Sequence, residues 1–193
     1  MFEIFLKKPE KRIQKYLSKA FVGDDEILEF LPDSGEGTIR VLKTAHPDGV
    51  TYLGSIGGFA RQMRSSFFVE RKLRVELISA VSTGYEDLMS SLLVSLVKRM
   101  DDPKCEYKPQ TIISNVISLG GSEMKHIYLC DPFLWANGLP SISIDGLTVA
   151  FLYVLPISEA EARYLSEFGP NEFENALEAK NVAYYDLGRI SSV

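Results

Sequence analysis

Residues 83–103, TGYEDLMSSLLVSLVKRMDDP, fit one folded form, an amphipathic helix laid on a sheet. Leu88, Met89, Leu92, Leu93, Leu96, Val97 and Met100 recur at i, i+1, i+4, i+5, i+8, i+9 and i+12, which collects them on one face. The stripe is wide enough to lie flat against strands. Thr83 and Glu86 have capping-box spacing at its start. Lys98 and Arg99 suit the negative end of the helix dipole, and Asp101-Asp102-Pro103 ends it.

The strands to receive that face are legible on both sides of it. Residues 38–45 and 50–53 are rich in β-formers and flank His46-Pro47-Asp48-Gly49, a turn with Pro to set φ and Gly free to take positive φ, so a hairpin is expected. Residues 67–81 read as one or two strands, with Val75, Leu77, Ser79 and Val81 alternating with Arg74, Glu76, Ile78 and Ala80. Residues 111–119, 124–130 and 147–155 give three more. GSIGGFARQMR lacks both G-x-G-x-x-G and a Gly-Lys-Ser/Thr phosphate loop, and reads as a flexible connector. Asp131-Pro132 and Asn137-Gly138 bracket Phe133, Leu134 and Trp135, an apolar cluster with two aromatics expected to fold back over a core, with a partner-binding cluster as the alternative.

Further helices follow from the same periodicity. Ile13, Tyr16, Leu17, Ala20 and Phe21 form one apolar face opposite Lys7, Lys8, Lys11, Arg12, Lys15 and Lys19, with Gly23 as a stop. After Pro156, Ser158 and Glu161 have capping-box spacing, Gly169-Pro170 stops that helix, and Asn171 with Glu174 starts another in the same manner. Glu159, Glu161, Glu172 and Glu174 then fall in first turns and complement helix dipoles.

Charge narrows the partners. The net charge of −5 supplies too few cations to bind nucleic acid across the whole chain, and a basic partner suits it better. Residues 24–36 hold six carboxylates, Asp24, Asp25, Glu26, Glu29, Asp33 and Glu36, and no base, directly after the basic helix. Such polarity steers a partner or pairs internally. No apolar run approaches the roughly 18–20 residues that span a bilayer, and residues 1–12 lack a signal-peptide pattern, so no membrane association and a cytoplasmic location are expected.

Catalytic and metal chemistry find little support. Cys105, Cys130, His46 and His126 lack metal-ligand spacing, and two cysteines build no disulfide framework, so no metal and no cofactor are expected. No G-x-S-x-G occurs. The enzyme alternative is a small carboxylate-dependent hydrolase using Asp131 and Asp145.

The order RVELIS, long helix, two strands, GLTVAFLYVLPISEAEARYLSEFG and YYDLGRIS resembles the suppressor-of-fused-like (SUFU) domain family, most clearly over residues 73–193 and loosely over 1–70. The positions that carry the resemblance are Gly146, Val149, Phe151, Leu152, Glu161, Asp186 and Arg189. Asp186 and Arg189 are read as an ion pair closing the C-terminal strand. The chain is far shorter than the animal members, whose additional C-terminal region helps to grip a transcription factor, so that role is not implied. The short bacterial branch it looks like is implied to comprise immunity proteins of polymorphic toxin systems, each blocking a neighbouring toxin, often a nuclease.

The expectation is a single α+β domain over residues 1–193, with a mixed, mainly antiparallel sheet of six or seven strands packed by about four helices. The expected function is binding without catalysis, as an antitoxin against a basic cognate toxin. The six carboxylates from Asp24 to Glu36 are the expected contact surface, and a regulatory module that takes a peptide at a sheet edge is the alternative in the binding class.

Overall fold

The computed structural model describes residues 7–31, 37–63, 72–135 and 138–193. In chain order the elements are α1 (Lys8–Phe21), β1 (Asp24–Phe30), β2 (Ile39–Ala45), β3 (Val50–Ile56), β4 (Leu73–Ser82), α2 (Glu86–Lys98), β5 (Thr111–Ile113), β6 (Met124–Cys130), β7 (Ile142–Ile144), β8 (Leu147–Ser158), α3 (Glu159–Phe168) and α4 (Pro170–Ala179). Short 3₁₀ turns cover Gly58–Ala60 and Arg99–Asp101.

Among the described residues, eight strands form one mixed sheet in the order β1-β2-β3-β4-β8-β6-β5, with β7 also on β8. The pair β4 and β8 is parallel, from Leu73↔Thr148 to Ile78↔Tyr153, and every other pair is antiparallel. The long return from β4 to β8 passes through α2, β5, β6 and β7, as a parallel pair requires. β8 then has β4 on one side, with β7 and β6 in succession on the other.

Both faces of the sheet are covered. Val41, Leu53, Val75, Leu77, Leu152 and Val154 point to the face where α2 supplies Met89, Leu93, Leu96 and Val97. Leu42, Ile56, Ile78, Phe151, Tyr153 and Ile157 point to the other, where α1 supplies Ile13, Leu17 and Phe21, α3 supplies Leu165, and α4 supplies Phe173 and Leu177. These side chains are almost wholly withdrawn from water, so hydrophobic burial on two layers holds the fold.

The structure corrects several local expectations. Thr83 and Glu86 make no capping box: the Thr83 hydroxyl donates to the Gly49 carbonyl at 3.1 Å, the Gly84 N–H donates to Glu86, and Tyr85 is the N-cap of α2. The 46–49 hairpin takes Thr83 because its carbonyl lies beside the end of β4. Asn171 and Glu174 do not start α4, which begins on Gly169 (φ +85) and Pro170; Glu174 lies past the first turn and accepts from the Tyr128 hydroxyl at 2.9 Å. The strand expected over 111–119 stops at Ile113 because Asn115 adopts φ +55. β8 runs through Pro156 to Ser158, since β4 leaves it at Tyr153 and Pro156 has a flanking strand on the β6 side alone. The capping box of Ser158 and Glu161 is present. Residues 67–71 of the expected strand lie outside the described residues.

Candidate functional site

Among the described residues, β1 forms one end of the sheet and pairs with β2 alone, from Asp24↔Ala45 to Phe30↔Ile39. Four of the predicted contact residues, Asp24, Asp25, Glu26 and Glu29, are exposed on it, while Asp33 and Glu36 lie outside the described residues. Ile27 packs toward α1, and Leu28 and Phe30 pack toward α2. By strand alternation Asp25 and Glu29 therefore rim one face of the sheet, with Asp24 and Glu26 rimming the other.

β2 answers part of this charge. Arg40 bridges Glu29 at 2.6 Å and Glu10 of α1 at 3.1 Å, Lys43 meets Glu26 at 3.3 Å, and the Thr44 hydroxyl donates to Asp25 at 2.5 Å. The basic helix and the acidic strand are thus joined through Arg40, and β1 keeps four carboxylates against two cross-strand cations. Charge along a seven-residue edge discourages pairing with a second sheet and attracts a cationic surface.

The glycine segment expected to be a flexible connector is an anion cradle turned inward. The N–H groups of Gly57, Gly58 and Phe59 each donate to the Glu76 carboxylate at 3.0 Å, and the Ser55 hydroxyl donates to it as well. Glu76 is fully buried. A Cβ on Gly58 would stand 2.3 Å from the Val75 carbonyl oxygen, so only glycine lets the loop close on the strand. Burial pushes the Glu76 carboxyl up to about 7, against the pull of its four donors.

The expected ion pair of Asp186 and Arg189 is absent, and no strand forms there. Asp186 instead accepts from the Gly188 N–H at 2.7 Å and, through its carbonyl, from the Arg189 N–H. The Arg189 guanidinium turns to Glu161 and also donates to the Pro156 carbonyl at 3.0 Å. A short Asx-type turn at Asp186 points the two side chains apart.

His126 is held on both nitrogens. Its Nδ1 accepts from the Asn115 N–H at 3.2 Å, which assigns the proton to Nε2, 2.9 Å from Glu159. Arg163 also binds Glu159, at 3.0 Å. With both nitrogens engaged, this imidazole has a positioning role between β6 and α3. Among the described residues no group of His, Cys, Asp and Glu has the arrangement of a metal site. Cys105 and Cys130 are free thiols.

The enzyme candidates Asp131 and Asp145 do not converge. Asp145 sits in the turn between β7 and β8, 3.9 Å from Arg12. Asp131 lines a groove of about 470 Å³ at the end of β6, opposite Glu174 and Glu178 of α4 and beside Phe133 and Tyr184. Burial, then the fields of Glu174 and Asp131, push the Cys130 thiol up at its floor. The Trp135 loop folds back as expected: Trp135 stacks on Phe21 at 5.3 Å, and Phe133 meets Tyr153 and Tyr184 edge-on at 5.1 and 4.8 Å. Sequence reading passed over this groove because its walls are about forty residues apart; the spacing of Glu174 and Glu178 at i, i+4 was the available signal.

Comparison with known proteins covers nearly the whole chain. The family model described as Suppressor of fused protein (SUFU) matches residues 35–190, a span that starts well before residue 73. A Bacillus subtilis (strain 168) protein named Immunity protein YqcF is 27% identical over 188 residues, covering 95% of this chain and 96% of that one. A crystal structure of a SUFU homologue from Neisseria gonorrhoeae FA 1090 has a TM-score of 0.65 at 18% identity, covering 95% and 96% of the two chains. The Sufu–Fu complex contains a chain with a TM-score of 0.68 at 11% identity, covering 95% and 92%. Drosophila Suppressor of Fused has a TM-score of 0.64 at 12% identity, and there the match spans 95% of this chain and 51% of that protein. These structures show the same fold.

Proposed function

This chain belongs to the suppressor of fused (SUFU) family, and from that premise we propose that it is an immunity protein, which binds a cognate toxin in the cytoplasm and neutralises it stoichiometrically without catalysis. The observation that carries this reading is the likeness to Immunity protein YqcF along 95% of this chain and 96% of that one. Two structural facts support a binding role. The buried carboxylates Glu76 and Glu161 are saturated by internal donors, and His126 has both nitrogens occupied, so these groups serve the fold. An exposed edge strand, meanwhile, carries Asp24, Asp25, Glu26 and Glu29 outward.

The acidic edge is the proposed contact surface for a basic toxin, including a nuclease whose own surface is shaped for phosphate. No helix among the described residues is long and apolar enough to cross a membrane.

The test is co-expression with the product of the adjacent gene, followed by titration of the purified pair. Protection of the cells, and inhibition that saturates at one equivalent with the toxin's mass unchanged, supports stoichiometric neutralisation. Inactivation by substoichiometric amounts, or a toxin altered in mass, identifies an enzyme instead. Absence of both protection and complex refutes the immunity reading.

A further inference from the structure

The groove between the end of β6 and α4 has a composition unlike the rest of the surface. Among the described residues, every ionisable side chain on its walls is a carboxylate, a phenol or a thiol: Asp131, Glu174, Glu178, Tyr128, Tyr184 and Cys130, with no Lys, Arg or His. Arg189, whose charge is felt at Tyr184, is taken up by Glu161. Phe133 stands 45% exposed at the mouth, its ring held edge-on by Tyr184. Exposed aromatics beside carboxylates attract a desolvated cation, through the negative face of the ring and through charge-assisted hydrogen bonds.

We propose that this groove receives an arginine side chain presented by an exposed segment of the partner protein. The assignment rests on the protein-binding reading above and adds a second contact, remote in the sheet order from β1. Arginine fits better than lysine because its planar guanidinium both lies on an aromatic ring and bridges two carboxylate oxygens. Glu174 is fixed by the Tyr128 hydroxyl at 2.9 Å, so one carboxylate is already oriented on the wall. Asp131 and Glu178 are exposed and form no ion pair among the described residues, which leaves them to close on the guest.

The probe is a blocked tripeptide, acetyl-Ser-Arg-Ser-amide, titrated into the ¹⁵N-labelled full chain, with the citrulline counterpart as an uncharged isostere. Saturable shifts at residues 131, 133, 174–178 and 184, at least about tenfold weaker with citrulline and lost in Asp131→Asn/Glu178→Gln, are the expected result. Shifts equal for both peptides, or centred on β1, overturn the assignment. The double variant replaces exposed side chains, and retention of its remaining spectrum verifies folding. Protection against the toxin is scored separately: a wild-type chain that protects cells but shows no groove shifts retains the immunity reading and loses this one, and groove binding by a chain that gives no protection does the reverse.

Discussion

Arg189 reaches back 28 positions to hold Glu161 with two parallel hydrogen bonds, Nη1 to Oε1 at 2.5 Å and Nη2 to Oε2 at 2.8 Å. The same carboxylate accepts from the Ser158 N–H, the Ser192 N–H and the Ser192 hydroxyl. Burial alone raises a carboxyl pKa, but here Arg189 and these donors outweigh it and hold Glu161 below the usual carboxylate range.

Removing one partner strands the other in the interior. Glu161→Gln or Arg189→Met is expected to cost about 3–5 kcal/mol, measured by urea unfolding at pH 7, and the double variant less than the sum of the two. The depressed pKa adds stability that is present above the unfolded value of a glutamate and is lost as pH falls through the folded one. Wild type should therefore lose stability on acidification where Glu161→Gln shows a flatter profile.

Glu76 has the opposite sign. Its carboxyl is raised from 4.5 to about 7, so between those values the folded state keeps a proton that the unfolded state has released. Stability from this group falls as pH rises across that window, by about 3 kcal/mol at most. The unfolding free energy of wild type minus that of Glu76→Gln, measured at pH 5 and pH 8, should decrease with pH. A difference that does not fall between pH 5 and pH 8 would mean that the four donors outweigh burial.

Charge reversal on the edge strand tests the contact surface. Asp24→Lys with Glu26→Lys spares Glu29, which holds Arg40, and so leaves the link to α1 intact. Association with the toxin should slow about tenfold or more at low salt and converge with wild type as salt is raised. Stopped-flow association rates at two ionic strengths measure this, and equal rates for the two proteins at low salt would remove β1 from the interface.

The two thiols should separate kinetically. Cys130 is buried, and burial pushes its pKa up, whereas Cys105 is partly exposed. Ellman's reagent at pH 8 should modify one thiol quickly in the folded protein, the fast phase vanishing in Cys105→Ser, with Cys130 reacting only after unfolding.

The elements visible in the sequence were those whose information is local. The apolar stripe of α2, the turn at 46–49 and the Ser158–Glu161 cap are each specified within a few residues. The misread positions depend on distant partners. Arg189 has an acid three positions away and uses one 28 positions away. The donors around Glu76 are mostly backbone N–H groups, which any sequence possesses, and Gly57-Gly58 was the trace that they left. Of the candidate surfaces, the acidic edge was legible because its carboxylates lie within one seven-residue strand, while the groove gathers residues from β6, α4 and the stretch after it.

The position of β8 in the sheet has a consequence for biosynthesis. It is the last strand made and fills the gap between β4 and β6, so a growing chain holds two unjoined half-sheets until residue 158 has left the ribosome. Even then Glu161 has the Ser158 N–H alone and lacks its Arg189 and Ser192 donors until residues 189–192 follow it out. A chain truncated before Arg189 would bury the Glu161 carboxylate without its ion-pair partner, so stability of the whole sheet depends on residues 189–192.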